Sequence, residues 1–182
     1  MHAVRRVNCP YARRDAAWMA LMRQTGVRVR ACSLLTVEDA RIGLSRGRLV
    51  LRAAIQKRRR GHEVHLNRRA MAALRELLAV RRALGLAQLP DDPLVVGRGG
   101  RRLSVRSFQA RMQHWREQAG LAVDASPHWL RHTLGQRLVS RSTARNPMAI
   151  VQAALGHADI RSTAIYTRPT REDVALSLEE AA

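Results

Sequence analysis

Apolar residues first recur at helical spacing over roughly Asp15 to Gln24, where Trp18, Leu21 and Met22 share one face and Gly26 supplies a stop. Beyond Ser33-Leu34-Leu35 the period shortens. Ala40 to Ile42, Leu49 to Ile55 and Glu63 to Leu66 read as strands, joined by a turn at Ser45-Arg46-Gly47 and a basic turn from Lys57 to Gly61. A helical stripe returns from Arg68 to Leu84 through Met71, Leu74, Leu77 and Leu78, and Gly85 ends it. Three more helices are predicted, at about Ser104 to Ala119, Pro127 to Ser140 and Pro147 to Leu155. The last two start at Ser126-Pro127 and Asn146-Pro147, each a capping side chain followed by proline at the first helical position. Asp159 to Tyr166 and Thr170 to Glu180 read as two short helices separated by Pro169. The pattern predicts a mainly α fold with a small three-stranded antiparallel sheet (α+β). It lacks the strand–helix alternation of a parallel α/β sheet.

At 182 residues the chain suits a single domain over 1–182 with a core of its own. Its 33 Lys and Arg face 14 Asp and Glu, a net charge of +19 that opposes compaction and calls for a polyanionic partner. Nucleic acid is the expected one. Binding to a membrane surface needs a basic amphipathic helix with an aromatic face, and aromatics make up only 3% of the chain. The longest apolar run, Ala16 to Met22, is too short to span a bilayer, and Met1-His2-Ala3-Val4-Arg5-Arg6 lacks the apolar core of a signal peptide. Cys9 and Cys32 have no metal-ligand spacing and read as reduced thiols in a cytoplasm.

Three clusters carry the chemistry. They are Thr25-Gly26-Val27-Arg28, then Ser126-Pro127-His128-Trp129-Leu130-Arg131-His132-Thr133, and Leu155-Gly156-His157 with Tyr166 nine positions on. In this order, and with Lys57 in a predicted β-turn, the chain resembles the tyrosine recombinase (phage integrase) family from about Arg14 to Thr167. The family pattern is an Arg after a Thr-Gly turn, a turn Lys, a His-x-x-Arg helix start, a Leu-Gly-His and a downstream Tyr. Three positions depart from it: Ala31 where an acidic residue is usual, Trp129 where Asp is usual and His65 where Pro is usual.

The residue chemistry agrees with the resemblance. Attack on a phosphodiester accumulates negative charge on two non-bridging oxygens, and the planar forks of Arg28 and Arg131 suit that geometry. His128 and Arg131, three apart at a helix start, share a face where free backbone N–H groups also favour phosphate. Tyr166 needs a base, for which His128 is the candidate, and His157 is read as a hydrogen-bond donor to the phosphoryl oxygen. Lys57 is the single lysine among 33 basic residues. A chain so committed to arginine keeps a lysine where arginine fails, and giving up a proton is such a task. Lys57 therefore reads as the general acid. Arg58, Arg59 and Arg60, with Arg101, Arg102, Arg106 and Arg111, are candidate phosphate grips.

What the resemblance implies is site-specific cleavage and rejoining of double-stranded DNA through a 3′-phosphotyrosine, with no metal and no cofactor. It also implies a homotetramer on two DNA sites, monomeric without DNA. Family members carry an N-terminal DNA-clamping domain that is expected to be absent here, and residues 170–182 are expected to form a tail that docks on a neighbouring subunit. The competing expectations are a DNA-binding regulator without activity and a type IB topoisomerase-like relaxation of supercoils.

Overall fold

The computed structural model describes residues 9–55, 61–122 and 124–156. It divides into two compact units, one up to Leu134 and one from Gly135 onward.

The first unit begins with α1 (Pro10–Thr25). Cys9 caps it, its Sγ accepting from Ala12 N at 3.3 Å, and Pro10 occupies the first helical position, where its missing N–H costs nothing. The helix stops at Gly26, whose φ of 65° is the left-handed conformation glycine adopts without a Cβ penalty, and whose N–H donates to the Met22 carbonyl at 2.8 Å. A short helix α2 (Val29–Leu34) follows directly.

The expected strand at Ala40 to Ile42 is instead part of a helix, α3 (Val37–Arg46). Thr36 Oγ1 accepts from Asp39 N at 3.2 Å while Asp39 Oδ2 accepts from Thr36 N at 2.9 Å, a reciprocal capping box, and Gly47 at φ 66° closes the far end. With that segment helical, the sheet among the described residues has two strands rather than three. They are β1 (Arg48–Leu51) and β2 (His62–His65), antiparallel, with Arg48 opposite His65 and Leu51 opposite His62. Leu49, Leu51 and Val64 face inward while Arg48, Glu63 and His65 face water, the alternation expected of a half-buried ribbon.

Helix α4 (Arg68–Ala83) starts at Asn67, whose Oδ1 accepts from Ala70 N at 2.9 Å, and lies along α1. The core between them includes Trp18, Leu21, Met22, Leu74 and Leu77, all essentially inaccessible. Each such side chain contributes about 1.5–3 kcal/mol relative to exposure. Phe108, from α5 (Val105–Gln118), meets Trp18 edge to face at 4.8 Å. The loop between α4 and α5 is tied down from within. Buried Arg81 donates to the carbonyls of Pro93 and Ala87 and to Asp92 Oδ2. Burial pushes the Arg81 pKa down, and Asp92 partly offsets it.

Helix α6 (Pro127–Arg141) starts in the first unit and carries Leu130 into its core. In the second unit, α7 (Pro147–Leu155) has the start and stop its sequence predicts. Asn146 Oδ1 accepts from Ala149 N at 3.0 Å, Pro147 stands first, and Gly156 ends the helix at φ 60°. Val151 and Leu155 are its buried residues. The expected helices at 159–166 and 170–180 lie outside the described residues.

Candidate active site

The Thr-Gly turn is built to deliver Arg28. Thr25 Oγ1 donates to the Leu21 carbonyl at 2.6 Å and accepts from Val27 N at 3.4 Å, so the chain leaves α1 in a fixed direction through Gly26. Two residues on, Arg28 sits in extended conformation (φ −66°, ψ 145°) as the N-cap of α2. Ala31, where the resemblance leads one to expect an acidic side chain, is a buried core residue.

The second piece of the site is joined to this turn directly. Arg131, buried at 4% exposure, donates from Nη1 to the Gly26 carbonyl at 2.6 Å, across 105 residues of sequence. A guanidinium held by a carbonyl in a sheltered place is fixed in orientation, which a group that must meet a phosphate oxygen requires. One turn toward the helix start, His128 stands at the exposed opening of α6. Its ring meets that of His132 edge to face, with centroids 4.6 Å apart and planes at 86°.

The His128 ring feels the charges of the groups around it. Its pKa is lowered, first by partial desolvation of the ring and then by the positive charges of His132, Arg131 and Arg28. Each disfavours the imidazolium, so the ring is held neutral near pH 7 and able to accept a proton. The structure therefore brings together three of the six sequence-predicted catalytic residues: Arg28, His128 and Arg131. Lys57, His157 and Tyr166 lie outside the described residues, as do Arg58, Arg59 and Arg60. Among the described residues no three His, Cys, Asp or Glu side chains are grouped to hold a metal ion, and no helix is long and apolar enough to cross a membrane.

The arginines singled out as phosphate grips separate into two kinds. Arg101 and Arg106 are exposed. Arg102, also exposed, donates from Nη1 to the Ser33 carbonyl at 2.6 Å and thereby ties the loop to α2. Arg111 donates from Nε to Asp15 Oδ2 at 2.6 Å. Asp15 is fully buried and accepts four further bonds: from Arg14 Nε and Nη2 at 2.9 and 2.6 Å, from Trp18 Nε1 at 3.1 Å and from Trp115 Nε1 at 2.8 Å. This cluster has no signature in the sequence because its members lie up to 100 residues apart. His132 does have one, its i, i+4 spacing from His128 on a predicted helix.

The model of the phage integrase family matches residues 1–173. The chain belongs to that family. Among its relatives, tyrosine recombinase XerC of Shewanella amazonensis is 37% identical over 158 residues, covering 86% of this chain and 49% of that protein. XerC of Haemophilus ducreyi is 35% identical over 154 residues, covering 85% and 47%. The chain thus spans about half the length of the curated relatives it matches. Of solved structures, XerH site-specific recombinase bound to palindromic difH substrate in a post-cleavage complex superposes with a TM-score of 0.73 at 23% identity, over 99% of this chain and 48% of that one. XerA recombinase gives 0.70 at 20% identity, over 93% and 57%. At such identities the likeness is one of fold, and it is the tyrosine recombinase catalytic-domain fold expected from the sequence. Both XerC relatives are named tyrosine recombinases, and the family match over residues 1–173 bears out the resemblance drawn from the motifs.

Proposed function

We propose that this chain is the catalytic part of a tyrosine site-specific recombinase that cuts and rejoins double-stranded DNA through a 3′-phosphotyrosine at Tyr166. The observation that carries the reading is a single one: His128, its cation disfavoured, shares the opening of α6 with Arg131 and the nearby Arg28. Two guanidiniums there suit the two non-bridging oxygens of a phosphodiester, and a neutral imidazole near them suits removal of a hydroxyl proton. In the proposed step the Tyr166 hydroxyl oxygen attacks phosphorus, His128 takes its proton, and the 5′-oxygen leaves with a proton from Lys57. His157 donates a hydrogen bond to a phosphoryl oxygen. The bond energy is kept in the phosphotyrosine, so a second 5′-hydroxyl can reverse the reaction on another strand.

Exposed Arg101 and Arg106, with Arg58, Arg59 and Arg60, supply phosphate grips, and Arg102 and Arg111 add positive potential while holding their own structural bonds. Binding by such groups falls steeply with salt because it releases counterions. The partner is double-stranded DNA, and the working form is a homotetramer on two sites in the bacterial nucleoid, with residues 170–182 docking on a neighbour.

The test is incubation with a nicked DNA substrate and denaturing electrophoresis for a protein–DNA adduct. Tyr166→Phe removes the nucleophilic oxygen and no charge, so it should abolish the adduct and leave DNA affinity nearly intact. An adduct that persists in this variant overturns the assignment. Lys57→Arg should lose most cleavage, because guanidinium does not release its proton. Replacing the bridging 5′-oxygen by sulfur, whose thiolate leaves without a proton, should restore cleavage to Lys57→Arg and Lys57→Ala but not to Arg28→Ala.

A further inference from the structure

The pair of rings at the start of α6 has a consequence for the base that neither the motif nor the family match assigns. We propose that His132 is a positioning residue for His128: its ring, standing edge to face one helical turn along α6, fixes the orientation of the His128 imidazole and opposes a second positive charge beside it.

The geometry carries this. Residues four apart on a helix are neighbours on one face, and a centroid separation of 4.6 Å at 86° is a direct T-shaped contact. His128 lies near the start of the helix and is exposed as a residue, with its ring partly desolvated. His132, by contrast, is half-buried, and a half-buried ring is the steadier of the two. An exposed imidazole without such a contact samples several rotamers, and only those aimed at the tyrosine hydroxyl are productive. The contact narrows that choice.

The charges around His128 act in the same direction. Among the described residues, the charged groups acting on His128 are Arg28, just before α2, and Arg131 and His132 on α6 itself, all of one sign. The two arginines are needed for the phosphate and are charged at every working pH. His132 is the one of the three that can be replaced while both phosphate-binding guanidiniums stay in place. After partial burial of the ring, it contributes to holding the His128 pKa below the ordinary histidine value.

The inference rests on the proposed role of His128 as base, and its test separates the two. In the chain without DNA, the His128 ring is followed by nuclear magnetic resonance through a pH titration, for wild type, His132→Phe and His132→Ala. Both variants remove the imidazole of His132, one of the groups that lower the His128 pKa, so the His128 midpoint should move to higher pH in both. Phe keeps an aromatic edge or face against His128, whereas Ala leaves the ring without it. Cleavage on the alkaline plateau should therefore stay within a few-fold of wild type in His132→Phe and fall further in His132→Ala. The acid limb of the cleavage profile should shift upward in both.

A residue that merely supports the helix would lower activity equally at all pH and leave the His128 midpoint in place, and that result overturns the proposal. So does a midpoint that moves while the plateau of His132→Ala equals that of His132→Phe, since the ring contact would then orient nothing. If His132→Ala fails to fold, His132→Phe alone decides by its midpoint. Should the midpoint move in both variants while no adduct ever forms, the ring pairing stands and the recombinase reading of this chain falls.

Discussion

Two regions of the first unit gather arginines, and they do so in opposite ways. Around Asp15, Arg14 and Arg111 converge on a carboxylate with no exposure at all, and two indole N–H groups complete its hydrogen bonding. Around the start of α6, Arg131 is fixed by a backbone carbonyl, Arg28 stands at the N-cap position of α2, and near them is an exposed histidine whose proton affinity is reduced first by partial desolvation and then by the charges of His132, Arg131 and Arg28. The first arrangement uses a buried anion to turn two cations into a brace that joins α1 to α5. The second concentrates positive charge where an outside anion can reach it. In a chain of net charge +19, arginine is thus both a structural and a chemical residue, and what separates the roles is the partner each guanidinium meets.

The largest effect should come from breaking the brace. Asp15→Ala leaves Arg14 buried without its counter-charge and strands two indole donors, a loss of about 3–5 kcal/mol. Thermal or urea unfolding measures it, and a loss under about 1 kcal/mol would mean the cluster relaxes easily and the contrast is false. Arg111→Ala removes one of the two cations and should also destabilise, whereas Arg106→Ala on the same helix should change stability by no more than about 0.5 kcal/mol. Equal effects at the two positions would show that Arg111 is a surface residue after all.

Arg28→Ala should do the reverse of Asp15→Ala. It withdraws a charged donor from the transition state, slowing adduct formation by about 10²–10³-fold, while costing less stability than Asp15→Ala. Single-turnover cleavage beside an unfolding curve checks both halves. Cleavage within a few-fold of wild type would remove Arg28 from the site.

The contrast also explains what could be read from the sequence. Elements whose ends are written in local chemistry were legible: Asn146-Pro147 and Gly156 bound α7 as expected, and Gly26 and Gly85 stop α1 and α4. The Thr25-Gly26-Val27-Arg28 and His128-x-x-Arg131 motifs were legible as motifs, and the structure joins them through Gly26 and Arg131. The segment 37–46 was misread because Ala40 to Ile42 was judged by short-range alternation, although Thr36 and Asp39 spell a capping box three apart. Helix α2 went unseen because six residues hold too little periodicity to register. Arg111 could not have been sorted from Arg106 at all, since its partner Asp15 is 96 residues away and charge alone does not name its partner. Thr36→Ala tests the cap directly. It should cost about 1 kcal/mol, read as a drop in unfolding midpoint with cleavage intact.

The smallest expected effect is a dependence of stability on pH traceable to His128. Its pKa in the folded chain lies below the ordinary histidine value, while in the unfolded chain it returns to that value. Above the unfolded pKa neither state is protonated, and His128 contributes no pH dependence. As the pH falls below it, the unfolded chain takes up a proton that the folded site resists, so stability declines. The decline ends once pH passes below the folded pKa and both states carry the proton. His128→Gln should flatten this part of the curve, which begins as the pH falls through about 6.5, by a small amount because the residue is exposed and solvent screens the charges around it. Chemical unfolding of wild type and His128→Gln across that range measures the difference. Parallel curves would mean that neither partial burial of the ring nor the charges of His132, Arg131 and Arg28 lower the His128 pKa in solution. The positive site would then differ from the Asp15 brace in location but not in the electrostatics that make it chemical.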